Sequence, residues 1–464
     1  MDDSKKFSFQ YAIWFALISM TAGCHPEALL RQTEPAIAPR VTLRVATSGD
    51  YAPFSRWSQN ESQPTGFSIA IAKAYAEARG AELEWIRFRW SELSDELESF
   101  AFDIALSGIT VRPDRSRKGR FSLPLTSSGA VALVREESPF NSVTDLDRHG
   151  IRLAVNAGGH LEQVALRLFA ATIIEPITRN EDVLDALTTG RADVVLTDNL
   201  EAPHWLRISK RRLRSIGPLT RDRKAAWFPA ENEGEANHFN RWLLRAEASG
   251  LLARLREQFE LPQEATANPQ AALLSSLDER LTLMTAVAEI KHVLGVPTEN
   301  TVREESVLTA AARSVRRFAK EAGISSPPPS AIRQLFRAQI AAAKWIQNQR
   351  RDHLRSVGDQ ELIKTEEGAK RELEQTLRPA LIYLGDRISM SLIASLDSSE
   401  PALTFDDVSA ALERHHLPNH HLRAIYQAIS EIRSTKNSLA ETRLAPHLAT
   451  LNRTRCASDD EGEP

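Results

Sequence analysis

The sequence predicts a multidomain α/β plus all-α chain, an α/β half followed by a helical half. Three observations carry this. The chain has 464 residues, too many for one ordinary domain. From Val41 to about Leu261, short β-rich runs alternate with stretches of helical spacing. After the polar segment "PQEATANPQ" (262–270), strand patterning disappears.

The chain opens with "MDDSKKFSFQYAIWFALISMTAGC": two lysines, an apolar stretch from about Tyr11 to Met20, then small residues. That is the layout of a secretory signal over residues 1–23, too short to span a bilayer comfortably. "TAGC" at 21–24 resembles a bacterial lipoprotein cleavage box, with Thr21 in place of the usual leucine. The resemblance implies export to the periplasm, lipidation of Cys24 and a lipid anchor in the membrane. The other cysteine, Cys456, lies in the polar tail 446–464, which is expected to be disordered. Two cysteines exclude a disulfide framework. With 58 basic and 61 acidic residues, a net charge of −3 argues against a general nucleic-acid or membrane-surface binder.

In the α/β half (41–261), "VTLRVATS" (41–48), "FDIALSG" (102–108), "IRLAVNAGG" (151–159) and "ADVVLTD" (192–198) have the composition of buried strands. "GFSIAIAKAYAEARG" (66–80) and "LEQVALRLFAA" (161–171) have helical spacing between them. Repeated βα units predict a mostly parallel sheet with ligands at the carboxyl ends of its strands. Ser107, Gly158, Gly159, Asp198 and Glu201 fall at those ends.

In the helical half (271–445), residues 272–320, 330–356, 360–396 and 405–435 are expected to be long helices, broken by "GVPTEN", "SSPPPS" and "SLDSSEP". Arg280 and Lys291 are eleven residues apart, which leaves them about 20° apart around a helix axis and separated by roughly 16 Å of rise. Two such cations can bracket a small anion. The order "LDERLTLMTAVAEIK … PTENTVRE … AQIAAAKWIQ … LGDRIS" resembles the all-helical chorismate mutases, especially their secreted subclass, over roughly Leu274 to Ser438. The resemblance implies that Arg280, Arg303 and Arg387 hold the substrate carboxylates, while Lys291 and Gln347 donate to the ether oxygen. The rearrangement is pericyclic, so the family needs no metal, nucleophile or cofactor; it fixes a conformer and stabilises developing charge. Because glutamine donates without being protonated, activity at neutral pH is expected. Asn300 stands where relatives usually carry an acid and Ala343 where they often carry serine or threonine; both are expected near the substrate. Relatives complete this site within one chain.

In the α/β half, "SGITVRPDRSRKGRFSLP" (107–124) resembles the two-lobed periplasmic amino-acid-binding proteins. There Thr110 and Arg115 would grip an α-carboxylate, a task suited to the guanidinium fork, and Asp198 would hold the ammonium group. A closer resemblance is to the cyclohexadienyl dehydratases on the same scaffold, through "ATSGDYAPFS" (46–55), Trp90 in "FRWSEL", "LSGIT" (106–110), "NAGG" (156–159), "LTDNLEA" (196–202) and "RKAAWFP" (223–229). It implies that Glu201 is the general acid, with Ser107, Gly158, Gly159, His160 and Lys224 around the substrate. His160 stands where the family usually has threonine, and Leu161 replaces asparagine. Hydroxide is a poor leaving group, so an acid must protonate it. A glutamate buried against an apolar wall such as Trp90 can stay protonated at neutral pH.

A chorismate mutase makes prephenate and a cyclohexadienyl dehydratase consumes it. The expectation is therefore a bifunctional exported enzyme of phenylalanine biosynthesis, taking chorismate through prephenate to phenylpyruvate. If Asp198 accepts an amino group, it would also take arogenate to phenylalanine. The other reading is an amino-acid-binding sensor or transport domain, without catalysis, fused to a mutase.

Overall fold

The computed structural model describes residues 41–357 and 365–435. The leader with Cys24 and the polar tail with Cys456 lie outside the described residues.

The first half has two lobes. In the first, the strand order is Glu82–Arg87, Thr42–Thr47, Ile104–Thr110, Asp222–Pro229, Gly119–Phe121, with Thr126–Ser128 also paired to Asp222–Pro229. In the second it is Ile173–Ile177, Arg152–Asn156, Val194–Asp198, Ala130–Arg135, Leu213–Ile216. The four strands expected from sequence are central, and residues such as Val45, Ile104, Leu153 and Val195 are fully buried. Each sheet is more mixed than the alternating pattern suggests. Asp222–Pro229 runs antiparallel to Ile104–Thr110, and Ala130–Arg135 antiparallel to Val194–Asp198. The chain enters the second lobe at 128–130 and returns at 217–222, and these returning strands impose the antiparallel pairs.

The helical half comprises Pro269–Thr282, Met284–Val293, Thr301–Glu321, Pro329–Val357, Arg378–Asp397 and Phe405–Leu412, with further helix over 366–377 and 419–435. The expected first helix is three, with a bend at Leu283 and the "GVPTEN" break.

The segment 262–270, expected to be a linker, is exposed over 262–264 and then packs down onto the first lobe. Thr266 and Ala267 are buried. Thr266 Oγ1 donates to the Pro124 carbonyl at 2.9 Å, and the Ala267 N–H donates to Glu247 Oε2 at 3.3 Å. Asn268 caps the next helix by accepting the Ala271 N–H at 2.8 Å. The polar side chains of Thr266 and Asn268 thus serve local hydrogen bonds, while Gln263 and Glu264 face solvent.

One apolar core runs from Leu43, Phe67 and Tyr75 in the first lobe to Leu277, Tyr383 and Ile432 in the helices. The second lobe has separate cores on its two faces. The first lobe and the helical half are thus packed as one body.

Candidate active sites

Between the lobes lies a cleft enclosing about 390 Å³, a size suited to a small molecule. Glu201 projects into it from the turn between the strand Val194–Asp198 and the helix Ala202–Ile208. Its carboxyl is 2 % exposed. Asn180 Nδ2 donates to Oε1 at 2.8 Å and Thr197 Oγ1 to Oε2 at 2.7 Å. Burial, then the negative charge of Asp198, pushes the Glu201 carboxyl well above the usual carboxylate range. The two donors pull the other way without prevailing.

Asp198 is driven in the opposite direction. Burial opposes its ionisation, but Lys224 and the Tyr51 hydroxyl outweigh that and hold its carboxyl below the usual value. Lys224 Nζ lies 2.9 Å from Oδ2, and Tyr51 donates its hydroxyl to the same oxygen. The N–H groups of Leu200 and Glu201 both reach Oδ1 at 3.0 Å. The ammonium acceptor expected at Asp198 is therefore already engaged, by a lysine from the opposite lobe.

Arg115, on the helix Pro113–Lys118, is fully buried at the cleft wall. Among the described residues its guanidinium makes one hydrogen bond, a weak donation to the Thr110 carbonyl at 3.5 Å, and Nε has no partner. Burial and then nearby Arg112 bring it down to about 9, which still leaves it charged at neutral pH. A buried, unpaired guanidinium facing a cavity is a receptor for a carboxylate. Thr110 stands beside it, its hydroxyl accepting from Lys224 Nζ at 2.9 Å.

Trp90 forms an apolar wall. It meets Tyr51 edge-on at 5.8 Å between ring centroids and donates Nε1 to Asp50 at 3.2 Å. Gly159 lines the cleft, and its carbonyl accepts from Arg112 of the other lobe at 3.1 Å. His160 begins the helix His160–Leu168, with Nε2 3.0 Å from Asp222 but off a hydrogen-bonding axis. Burial lowers its pKa despite Asp222, so it is neutral at pH 7.

Two expected contacts are corrected. Ser107 does not line the cleft: it is buried in the sheet, 2.8 Å from Ser48 Oγ and accepting the Ser48 N–H at 3.1 Å. Gly158 has φ +72°, and an added Cβ would come 2.6 Å from Ser91 Cα. Its role is close approach between the lobes, not ligand contact. Sequence reasoning missed Tyr51, Asn180 and Thr197. Tyr51 lies inside the quoted "ATSGDYAPFS" and could have been singled out; a lone asparagine at the start of a helix gives no comparable signal.

A second cleft, about 1500 Å³, opens among the helices. Arg280, Lys291, Asn300, Arg303 and Gln347 all line it, despite the bend at Leu283. Arg280 Nη1 is buried without a partner; burial and then Arg303 bring its pKa to about 10. Burial, then Arg378, lowers Arg303, and burial, then Arg351, lowers Lys291. Lys291 Nζ donates to the Thr298 carbonyl at 2.6 Å, and Gln347 Nε2 to the Ala343 carbonyl at 3.2 Å. Asn300 lines the cleft but spends its Oδ1 capping the helix Thr301–Glu321, accepting the Arg303 N–H at 2.8 Å.

Arg387 is the main correction. It lies away from this cleft, fully buried at the junction with the first lobe. It bonds Glu279 at 2.9 Å and the Phe121 carbonyl at 3.0 Å. From the same helix, Arg378 lines the cleft together with Leu381, Ile382 and Gly385. Nine residues at 100° each set Arg378 and Arg387 about 180° apart, on opposite faces of one helix.

Residues 43–262 match the bacterial extracellular solute-binding proteins, family 3, and residues 267–348 match chorismate mutase type II. Cyclohexadienyl dehydratase of Pseudomonas aeruginosa is 32% identical over 221 residues, covering 47% of this chain and 82% of that protein. An L-cystine-binding protein of Escherichia coli is 25% identical over 221 residues, 47% of this chain and 83% of that protein. Among solved structures, an ancestral amino acid-binding protein described as a precursor of cyclohexadienyl dehydratase shares 30% identity, with a TM-score of 0.45, over 47% of this chain and 95% of that one. The chain thus belongs, through its α/β half, to the family 3 solute-binding proteins with cyclohexadienyl dehydratase among them, and it carries a chorismate mutase type II domain behind that scaffold.

Proposed function

We propose that the helical half rearranges chorismate to prephenate and that the α/β half converts prephenate to phenylpyruvate. The observation that carries the second step is Glu201: a buried carboxyl whose pKa burial and then Asp198 raise, in a cleft whose wall presents the buried Arg115 guanidinium. Arg115 and Thr110 bind a carboxylate of the substrate. Glu201 gives its proton to the ring hydroxyl as the C–O bond breaks. The ring carboxylate leaves as carbon dioxide, and its bonding electrons complete the aromatic ring. The products are phenylpyruvate, water and carbon dioxide, and Glu201 regains its proton from solvent.

In the helical cleft, Arg280, Arg303 and Arg378 hold the two carboxylates of chorismate. Lys291 and Gln347 donate to the ether oxygen as negative charge grows there. The protein acts after export to the periplasm, where a lipid on Cys24 would anchor it.

The test is to give the leaderless protein chorismate and follow the products by NMR. Transient prephenate followed by phenylpyruvate is expected, with only the second step lost in Glu201→Gln. Prephenate decaying no faster than it does in buffer would leave the α/β half a binding domain fused to a mutase.

A further inference from the structure

We infer that Arg313 steers the dianionic substrate into the helical cleft without gripping it, an inference that rests on the mutase reading of that cleft. The lining holds six basic side chains, Arg280, Lys291, Arg303, Arg313, Lys344 and Arg378, against two carboxylates, Glu304 and Asp386. Both carboxylates are already matched. Lys344 Nζ lies 3.3 Å from Glu304 and 3.1 Å from Glu299, while Asp386 pairs at 2.7 Å with Arg317, which is not in the lining. A strong local excess of positive charge is left, in a chain whose net charge is −3.

The reaction accounts for Arg280, Lys291, Arg303 and Arg378, but not for Arg313. Arg313 is exposed at the rim and has no ion pair or hydrogen bond among the described residues. It stands ten residues after Arg303 on the helix Thr301–Glu321, about 15 Å further along the axis. Arg316 and Arg317 follow at i+3 and i+4, where like charges lower helix stability. The arrangement therefore works against the helix and in favour of the field at the cleft. A cleft lined by one sign of charge focuses that field outward and concentrates the opposite charge near its mouth. Chorismate carries two negative charges before, during and after its rearrangement. The pull of Arg313 is then the same on bound substrate and on the transition state, so it lowers KM and leaves kcat alone.

The test measures kcat and KM for chorismate at about 10 mM and about 0.5 M salt, between which the screening length falls from about 30 Å to under about 5 Å. Arg313→Glu is expected to lower kcat/KM about fivefold at low salt and less than about twofold at high salt, with kcat unchanged. Arg313→Lys, which keeps the charge, is expected to match the wild type. An unchanged kcat also reports that both variants are folded. Equal kcat/KM in wild type and Arg313→Glu at low salt would overturn the steering. A loss that persists at high salt, appears in kcat or is shared by Arg313→Lys would overturn it too, because Arg313 would then be a grip or a structural residue. If no chorismate is consumed, the mutase reading fails by itself. Calorimetric affinity for chorismate at the two salts then decides Arg313: weakening of about fivefold at low salt alone upholds the steering, and equal affinity, or no binding, refutes it.

Discussion

Arg223 and Asp278 form an ion pair across the junction of the two halves. Arg223 is the residue before Lys224, and Asp278 lies two residues before Arg280, so one contact ties the frameworks of the two clefts. Arg414 and His415 also reach Asp278, at 2.5 Å and 2.8 Å. Beside it, Ser116, next to Arg115, donates to Glu279 at 2.9 Å.

Asp278→Asn is therefore expected to cost about 3 kcal/mol, since it leaves cations at the junction without their anion. Burial opposes ionisation of Asp278, but His415, Arg223 and Arg414 outweigh it and hold the carboxyl below its ordinary 3.8. A depressed folded pKa gives stability that is fully present above the unfolded value and lost as pH falls through the folded one. The gap between wild type and variant should be full at neutral pH and shrink below about pH 4. Thermal unfolding across pH checks this, and equal melting at pH 7 would refute it.

Glu201 carries the opposite linkage. Its folded pKa is raised, so its contribution to stability is full below the ordinary 4.5 and declines as pH rises toward the folded value. Glutamine stays neutral throughout. Glu201→Gln should abolish prephenate turnover while melting progressively higher than wild type between about pH 5 and 8. In the wild type, turnover should fall on the alkaline side, as the acid loses its proton. A variant whose advantage in melting temperature does not change with pH would show that Glu201 is not held neutral.

Much of this arrangement was legible in the sequence, because the motifs are short and sit at strand ends. Thr110, Arg115, Asp198 and Glu201 converge because in each lobe the parallel βα units turn those strand ends toward the cleft between the lobes. What stayed illegible depends on helix rotation and docking. "LGDRIS" offered an arginine in apolar surroundings, and apolar neighbours are equally consistent with a cleft and with a domain junction. The match to chorismate mutase type II ends at residue 348, short of both Arg378 and Arg387. The polar composition of 262–270 likewise gave no sign that Thr266 would bond a backbone carbonyl of the first lobe and Asn268 cap the next helix.

Arg378 and Arg387 should separate cleanly on mutation. Arg378→Ala removes a cation at the cleft and should lower kcat/KM for chorismate by at least about tenfold with a small change in melting temperature. Arg387→Ala strands Glu279, which is buried beside it, and should cost about 3–5 kcal/mol. Its mutase constants, measured well below the melting point, should change less than those of Arg378→Ala. The reverse pattern would return Arg387 to the substrate.

Gln347 sets the pH range of the mutase. Its Nε2 donates in one charge state, while its Oε1 is buried without a partner among the described residues. A glutamate at this position donates only when protonated, and ionised it would set a negative charge against the ether oxygen's own. Gln347→Glu should therefore keep much of its mutase activity near pH 5 and lose more than about tenfold by pH 8, while the wild type stays nearly level over that range. Initial rates of chorismate loss at fixed ionic strength measure it. Parallel pH profiles for the two proteins would mean that Gln347 does not donate to the reacting oxygen, and Lys291 would then be the donor that matters.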